Sequence, residues 1–351
     1  MRLSNARRLA LGVSLLLLGA SASAQGQAVN YHLIKTVPIP SASGSREYFD
    51  YLSVDNDARR VYVTQGTEVD VLDADDYSLV GKITGLQLSH GVVVVKELGK
   101  GFVTDGEAKK VLVFDPKTLK VTGEIVTNQP DTDALVYDPA SKLLFSINGN
   151  SKNATVIDPV KETAVKMIDL GGAAEFAVVD GNGTLYDNNE EKNDVVVIDT
   201  KALAIKARWP TAPAGTVTAL AFDARNHRLF SAGRNPQFLV MMDSDTGKVI
   251  QSFPISGGVD AAAFDSETGL VFASTREGKL HIFHEDSPDK LSEVQTVDTA
   301  YGAKTLALDP KTHNILVSTS DFGPPPPPTE RQPRPLPRAL QQNFRVMVYG
   351  R

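Results

Sequence analysis

Short apolar runs alternate with polar turns along most of this chain, and the pattern returns about every 42 residues. One series of aspartates closes an apolar pair at the same point of successive units, with gaps of 42, 43, 41 and 44 residues: Asp73, Asp115, Asp158, Asp199 and Asp243. A second series follows another apolar run: Asp55, Asp138, Asp180, Asp223, Asp265 and Asp309. Its first gap is twice as long as the others, and Val95 occupies the vacant position. The pattern therefore predicts seven structural units.

Each unit has room for four short antiparallel strands. In one unit the apolar runs are 220–222, 229–231, 238–242 and 249–253, and residues typical of turns separate them. A carboxylate can accept hydrogen bonds from backbone N–H groups two or three residues further along the chain. We therefore interpret the recurring aspartates as residues that shape the turns.

Four-stranded units repeated around an axis form a β-propeller, and an open solenoid is the main alternative. The last unit supplies three apolar runs, 305–308, 315–318 and 344–348, but ends before a fourth. The run 31–37 precedes the first complete unit and can fill that vacancy, which would also hide two strand edges. The sequence thus predicts an all-β, seven-bladed β-propeller that an N-terminal strand closes in the last blade.

One segment carries a family resemblance. Arg60-Val61-Tyr62-Val63-Thr64-Gln65 resembles the Tyr-Val-Thr-Asn signature of YVTN-type β-propeller repeats, found in YncE-like exported bacterial proteins, with glutamine in place of asparagine. A later unit has the more divergent Phe102-Val103-Thr104-Asp105. The resemblance implies the propeller architecture but little chemistry, because the family includes periplasmic proteins, surface antigens and propeller subunits of quinoprotein enzymes.

Residues 1–24 have the three parts of a secretory signal peptide: basic residues, an apolar run and a small-residue cleavage pattern. These parts are Arg2, Arg7 and Arg8, then 9–18, then Ala22-Ser23-Ala24. We expect cleavage there, a single domain over 25–351, and a periplasmic or secreted product. No later apolar run approaches the length of about 20 residues that a membrane span needs.

Charge and composition exclude several function classes. Without the signal segment the formal charge changes from −6 to −9, which argues against binding to nucleic acid or anionic membranes. The chain has no cysteine, which excludes disulfides, a lipid-anchored cysteine, c-type haem and thiolate metal sites. Its single tryptophan, Trp209, does not supply the repeated docking pattern for pyrroloquinoline quinone, and no glycine-rich phosphate loop indicates a nucleotide. We expect a monomer without these cofactors.

Candidate chemistry appears five residues before the innermost-strand anchor of each unit. All seven residues there are polar: Asp50, His90, Asp133, Glu175, Thr218, Asp260 and Lys304. In a closed propeller they would ring the mouth of the central channel and bind a small polar ligand or a protein partner. The four carboxylates, Asp50, Asp133, Glu175 and Asp260, also predict a divalent cation site. The alternative is that these positions are polar only because water reaches the channel.

Two arginines and a proline-rich segment add to the same face. Arg234 and Arg276 follow second strands, where a guanidinium would grip a carboxylate or phosphate, unless both are ordinary solvated side chains. The segment 323–338 begins with five prolines at 324–328 after Gly323, a composition typical of polyproline II or disorder. It predicts a lid, a docking arm or a tolerated surface insertion.

These observations favour an exported, non-catalytic binding or scaffold protein. The competing hypothesis is a metal-dependent, lactonase-like hydrolase, in which the four carboxylates hold a cation and His90 transfers a proton. No zinc-protease HExxH motif or GxSxG nucleophile elbow is present.

Overall fold

The structure is a computed structural model that describes residues 29–42, 48–329, 335–340 and 343–351. Within these ranges, 28 strands form seven four-stranded antiparallel sheets arranged as the blades of a propeller. The predicted seven-bladed fold is therefore confirmed. The predicted signal peptide lies outside the described residues. Among the residues that are described, no helix has the length and apolar character needed to cross a membrane.

The blades follow one another along the chain, and each begins with its innermost strand. The N-terminal strand is β1 (His32–Pro38). Blade 1 contains β2 (Phe49–Asp55), β3 (Arg60–Gln65), β4 (Glu68–Asp73) and β5 (Leu79–Thr84). Blade 2 contains β6 (Ser89–Val95), β7 (Lys100–Asp105), β8 (Lys110–Phe114) and β9 (Val121–Val126). Blade 3 contains β10 (Thr132–Asp138), β11 (Leu143–Asn148), β12 (Asn153–Asp158) and β13 (Thr163–Asp169). A short 3₁₀ turn at Lys96–Leu98 joins β6 to β7.

The remaining blades keep the same order. Blade 4 contains β14 (Ala174–Val179), β15 (Thr184–Asn189), β16 (Asp194–Asp199) and β17 (Ala204–Pro210). Blade 5 contains β18 (Val217–Asp223), β19 (Arg228–Gly233), β20 (Phe238–Asp243) and β21 (Val249–Pro254). Blade 6 contains β22 (Val259–Asp265), β23 (Leu270–Thr275), β24 (Lys279–Ser287) and β25 (Lys290–Asp298). Blade 7 contains β26 (Leu306–Asp309), β27 (Asn314–Thr319) and β28 (Arg345–Gly350), and β1 completes it.

The N-terminal strand closes the ring as the sequence predicts. Strand β1 pairs antiparallel with β28, so that His32 lies opposite Gly350 and Val37 lies opposite Val346. The innermost strand of blade 1, β2, contacts β6 on one side and β26 on the other. The first and last strands of the described residues therefore lie in one sheet, and blade 1 packs against blade 7.

A buried ion pair also joins the first blade to the last. Arg59, in the turn after β2, donates from Nη1 to Oδ1 of Asp309 at 2.8 Å and from Nη2 to Oδ2 at 2.7 Å. The Asp309 side chain is 1% exposed. Burial disfavours its charged form, but the hydrogen bonds from Arg59 hold the pKa of Asp309 below its ordinary value. This bidentate pair stabilises the contact between blades 1 and 7, where the ring closes.

The recurring aspartates do shape the turns. Oδ1 of Asp115 accepts a hydrogen bond from the backbone of Lys117 at 2.7 Å, and Oδ1 of Asp180 accepts one from Asn182 at 2.7 Å. Every member of both series accepts such a bond from the backbone two residues on. In the turn after Asp243, Gly247 has a φ of 74°, a left-handed conformation that glycine adopts without strain. The interpretation as turn residues is confirmed.

The hydrophobic core lies between neighbouring blades. The tyrosine of the signature-like segment, Tyr62, is 1% exposed and packs against Val92 and Phe114 of blade 2. Its counterparts in the other second strands are equally apolar and buried: Phe102, Phe145, Tyr186, Phe230, Phe272 and Leu316. Burying each large side chain stabilises the fold by about 2 kcal/mol, so the repeated aromatic position fixes the spacing of the blades.

One residue in this core is an ionisable side chain at a position where the other blades have small or apolar residues. Asp187 on β15 is completely buried, and neither of its carboxylate oxygens has a hydrogen-bond partner among the described residues. The corresponding residues of the other blades are small or apolar: Val63, Val103, Ser146, Ser231, Ala273 and Val317. Burial, reinforced by the charge of Asp194, raises the pKa of Asp187 well above its ordinary value. Burial therefore favours the neutral, protonated form of this carboxyl group.

The proline-rich segment leaves blade 7 between β27 and β28, as predicted. The backbone of Gly323 donates to Arg338 at 3.0 Å, and that of Leu340 donates to Asp321 at 2.7 Å. Phe322 packs edge-on against Tyr301, with ring centroids 5.2 Å apart. The base of the segment is thus fixed to the propeller. Its middle, 330–334, lies outside the described residues, and its role stays a prediction.

Candidate functional site

The seven polar positions of the repeat lie at one end of the central channel, and we call them the mouth ring. Six lie in innermost strands, and Lys304 lies two residues before another, β26. Contacts between neighbouring blades connect most of their side chains: Asp50 with His90, His90 with Asp133, and Asp260 with Lys304. The innermost strands all run away from this end, so a fixed spacing before each anchor brings their first residues together.

Blades 1 to 3 contribute the acid–imidazole arc, which consists of Asp50, His90, Asp133 and Tyr48. Nδ1 of His90 lies 2.7 Å from Oδ2 of Asp50 and 3.3 Å from Oδ1 of Asp133. The Tyr48 hydroxyl donates to Oδ2 of Asp50 at 3.1 Å and lies 3.3 Å from the same imidazole nitrogen. The His90 side chain is 3% exposed, so water screens this arc poorly.

The acid–imidazole arc retains protons near neutral pH. Burial opposes a charge on the imidazole, but Asp133 and Asp50 overcome it and raise the pKa of His90 to about 9. Burial also raises the pKa of Asp133; the positive charge of His90 opposes this rise and that of Asp50 adds to it. Burial and the nearby carboxylates raise the pKa of Tyr48, which therefore remains a hydroxyl donor. The arc can donate as well as accept hydrogen bonds.

Blades 4 to 7 contribute the ion-pair arc, which consists of Asp260, Lys304, Arg234, Glu175 and Glu190. The Asp260 carboxylate accepts hydrogen bonds from both Lys304 and Arg234. Nη1 of Arg234 also lies 3.9 Å from Oε1 of Glu175 and 3.7 Å from Oε2 of Glu190. Burial alone would raise the pKa of Asp260, but the two cations hold it below its ordinary value.

The two remaining mouth-ring residues are Glu175 and Thr218. Burial, with the charge of Asp133, raises the pKa of Glu175 well above its ordinary value, although Arg234 opposes the effect. The hydroxyl of Thr218 donates to the carbonyl oxygen of Val259 at 2.9 Å, and the residue is 1% exposed. Thr218 therefore links two blades and does not present its hydroxyl at the mouth.

Arg276 differs from Arg234, although both follow a second strand. Its backbone N–H donates to Gly258 at 2.9 Å, and its carbonyl accepts from Gly302 at 2.8 Å. Its side chain is half-buried and close enough for its charge to affect the pKa values of Asp260 and Lys304. Across the residues that the structure describes, the Arg276 guanidinium makes no hydrogen bond or ion pair.

The position directly after each second strand forms an outer tier around the mouth. In blade order it holds Gly66, Gly106, Gly149, Glu190, Arg234, Arg276 and Ser320. A Cβ atom at Gly106 would lie only 2.7 Å from Nε2 of His90. Glycine therefore lets the His90 imidazole pack closely against this position, whereas charged side chains occupy the tier in blades 4 to 6.

An aromatic pair forms the floor beneath the mouth ring. The rings of Tyr51 and Phe176 lie 5.6 Å apart and line a cavity of about 120 Å³ together with Gly91 and Ala134. Burial, with the charges of Asp133 and other ring carboxylates, raises the pKa of Tyr51 well above its ordinary value. The mouth is consequently a polar cup over an apolar floor.

Only two of the four carboxylates predicted to bind a cation lie together, and they share their site with His90. Ligand atoms of Asp50, His90 and Asp133 all lie within 4.8 Å of one another, a spacing that a metal ion can bridge. Glu175 and Asp260 instead lie beside Arg234. A site built from all four carboxylates stays a prediction. Beside Asp50 and Asp133, His90 is better placed to act as a third ligand than Glu175 or Asp260.

Sequence reasoning missed three residues of the cup: Tyr48, Tyr51 and Glu190. Tyr48 and Tyr51 lie on either side of Asp50 in the sequence. The repeat pattern singled out one position in each blade and so did not identify the residues next to it. Glu190 occupies the same repeat position as Arg234 and Arg276, so an alignment of the hairpins by repeat would have found it.

Comparisons with known proteins establish the fold and not a family. No family model and no curated protein matches this chain. A chain in "Crystal Structure of Mitotic Checkpoint Complex" has a TM-score of 0.74 and 13% identity, over 99% of this chain and 99% of that one. A chain in "Kuenenia stuttgartiensis Hydrazine Synthase" has a TM-score of 0.67 and 13% identity, over 79% of this chain and 95% of that one. These neighbours are WD40-like β-propellers. The YVTN resemblance stays a prediction.

Proposed function

We propose that this protein is a non-catalytic binding protein that holds a small polar ligand in the cup at its channel mouth. One observation carries the proposal: four ionisable side chains there are largely withdrawn from water. Their side chains are 3% exposed for His90, 8% for Asp260, 12% for Asp50 and 15% for Asp133. Removing charges from water is costly, so clusters of buried ionisable groups are typical of functional sites.

The cup suits a ligand that both donates and accepts hydrogen bonds. Asp50 supplies a carboxylate, Tyr48 supplies a hydroxyl and Lys304 supplies an ammonium group at the channel mouth. A polyhydroxylated molecule, or a polar segment of a partner protein, presents matching groups. The signal-like pattern of residues 1–24 supports action outside the cytoplasm.

A thermal-shift screen with sugars, hydroxy acids, amino acids and phosphorylated metabolites tests this proposal. We expect one ligand class to raise the melting temperature, since a ligand at about 100 times its Kd stabilises the native state by about 2.7 kcal/mol. Tyr48→Phe should reduce that shift because it removes one hydroxyl from the cup. Tyr137→Phe, which removes a hydroxyl at the opposite end of an innermost strand, should not. A wild-type protein that responds to no compound, and that captures no partner by cross-linking, would contradict the proposal.

A metal-dependent, lactonase-like hydrolase is the second candidate, because Asp50, His90 and Asp133 have metal-ligand spacing. Two carboxylates and an imidazole fit a cation such as Zn²⁺ or Mn²⁺. A bound metal would polarise a carbonyl and activate water.

Elemental analysis and lactone hydrolysis test the second candidate together. We expect about one metal ion per chain, hydrolysis that a chelator abolishes, and at least ~100-fold loss of both activity and metal affinity in Asp133→Asn. Asp245→Asn, an exposed change far from the mouth, serves as the control. A wild type that hydrolyses no lactone with any added divalent metal removes this candidate.

A further inference from the structure

Blades 5 to 7 place three cationic side chains at the mouth, Arg234, Arg276 and Lys304, but only one mouth-ring carboxylate, Asp260. Asp260 is the carboxylate that Arg234 and Lys304 share, while Arg276 stands beside them without a partner in the described part of the chain. Burial and the like charge of Arg276 both act to lower the pKa of Lys304, but Asp260 and Asp50 outweigh them and raise it above its ordinary value. A half-buried guanidinium next to a second cation is an arrangement that an anion would stabilise.

The position of Arg276 is well defined. Its backbone is tied to Gly258 on one side and to Gly302 on the other, so the side chain starts from a fixed point between blades 6 and 7. The Lys304 ammonium group has three protons and gives one to Asp260. Arg276 and Lys304 therefore bring N–H groups that no described acceptor uses to the mouth from adjacent blades.

Arg234 does not have this freedom. Its Nε donates to the carbonyl oxygen of Val259 at 3.0 Å, and its Nη atoms face Asp260, Glu175 and Glu190. Two arginines at the same repeat position thus have different roles. Arg234 neutralises carboxylates of the protein, and Arg276 is available to a ligand.

We propose that the ligand of the cup is an organic anion whose carboxylate or phosphate group binds to Arg276 and Lys304 and whose hydroxyl groups face Tyr48 and Asp50. This inference rests on the proposed binding function and names the chemical class of the ligand. A planar guanidinium can grip either anion through two parallel hydrogen bonds, and the hydroxyls satisfy the opposite arc.

Isothermal titration at constant ionic strength tests the inference with four probes: inorganic phosphate, glycerol 3-phosphate, D-gluconate and uncharged sorbitol. We expect at least one organic anion to bind more tightly than sorbitol. Arg276→Gln should weaken its binding about 10-fold or more, because a charge-assisted hydrogen bond is lost. Arg276→Lys should recover part of the affinity, since it restores the charge but not the two-pronged contact. Arg225→Gln, in a turn at the opposite end of blade 5, is the matched control.

The outcomes separate this inference from the function on which it rests. An organic anion that binds Arg276→Gln within about twofold of the wild type overturns the inference. So does a neutral ligand that outcompetes the anions and depends on Tyr48 but not on Arg276, although the binding function then stands. If neither these probes nor the wider screen detects any ligand or partner of the wild type, both proposals fail. Comparing phosphate with the two organic anions shows which anionic group the cup prefers.

Discussion

Replacing Asp309 with alanine should lower the free energy of unfolding by about 4 kcal/mol, because removing one partner of a buried ion pair leaves the other charge uncompensated. Asp309 is 1% exposed on its side chain and accepts two hydrogen bonds from Arg59, which is itself only 15% exposed. The pair joins blade 1 to blade 7 at the point where the ring closes. Urea denaturation at neutral pH measures the effect.

Asp55→Ala is the matched control for this substitution. Asp55 occupies the same turn position in blade 1 and accepts backbone hydrogen bonds from Asp57 and Ala58, but no arginine. Losing such turn contacts alone should cost about 1 kcal/mol. The difference between the two variants then reports the ion pair. Equal losses would show that Arg59 contributes nothing to closure.

The pH dependence gives a second measure of the same pair. Arg59 holds the native pKa of Asp309 below its ordinary value, so the wild type gains stability above about pH 4 and loses it as the pH falls through the native pKa. Asp309→Ala should therefore lose less stability on acidification than the wild type.

The sequence predicted the fold because every unit repeats the same physical requirement. Each blade needs a turn-making aspartate and an apolar second strand, so the period is visible even where a member such as Val95 departs from it. The vacancy in the last unit likewise identified the N-terminal strand that fills it. Such constraints are local in the chain, and spacing alone reveals them.

The repeat predicted which residues lie at the channel mouth but not which side chains form ion pairs or hydrogen bonds with one another. Spacing placed seven polar residues at the mouth, yet it could not show that Asp260 would be held by Arg234 and Lys304, which come from different blades. Nor could it show that the Thr218 hydroxyl would be used by a neighbouring carbonyl. The side-chain directions decide these partners, and the repeat does not encode them.

The pairing divides the cup into two chemically distinct arcs. Blades 1 to 3 provide Asp50, His90 and Asp133, and blades 4 to 7 provide the ion-pair arc, in which Arg234 and Lys304 hold the buried Asp260 carboxylate. A ring of equivalent positions has thus lost its rotational symmetry. A ligand bound there would have one preferred orientation, which a symmetric ring of carboxylates would not impose.

Asp187→Ser should raise the free energy of unfolding by about 3 kcal/mol near pH 8, because it removes a buried ionisable group that has no hydrogen-bond partner. Serine occupies the same repeat position in both flanking blades, at Ser146 and Ser231, so the blade interface accommodates it. Ala273→Ser in blade 6 is the control, and we expect it to give no stabilisation. Urea denaturation of the three proteins compares them directly.

The sign of the pH dependence distinguishes this explanation from a simple packing effect. Burial raises the native pKa of Asp187, so the native state binds more protons than the unfolded state above about pH 4, and the wild type loses stability as the pH rises. His90 and Asp133 contribute in the same direction, but they do so in both proteins and cancel in the difference. The gain from Asp187→Ser should therefore shrink towards acid pH. A gain that is independent of pH would attribute the effect to packing, and a loss at high pH would show that the carboxylate is stabilising.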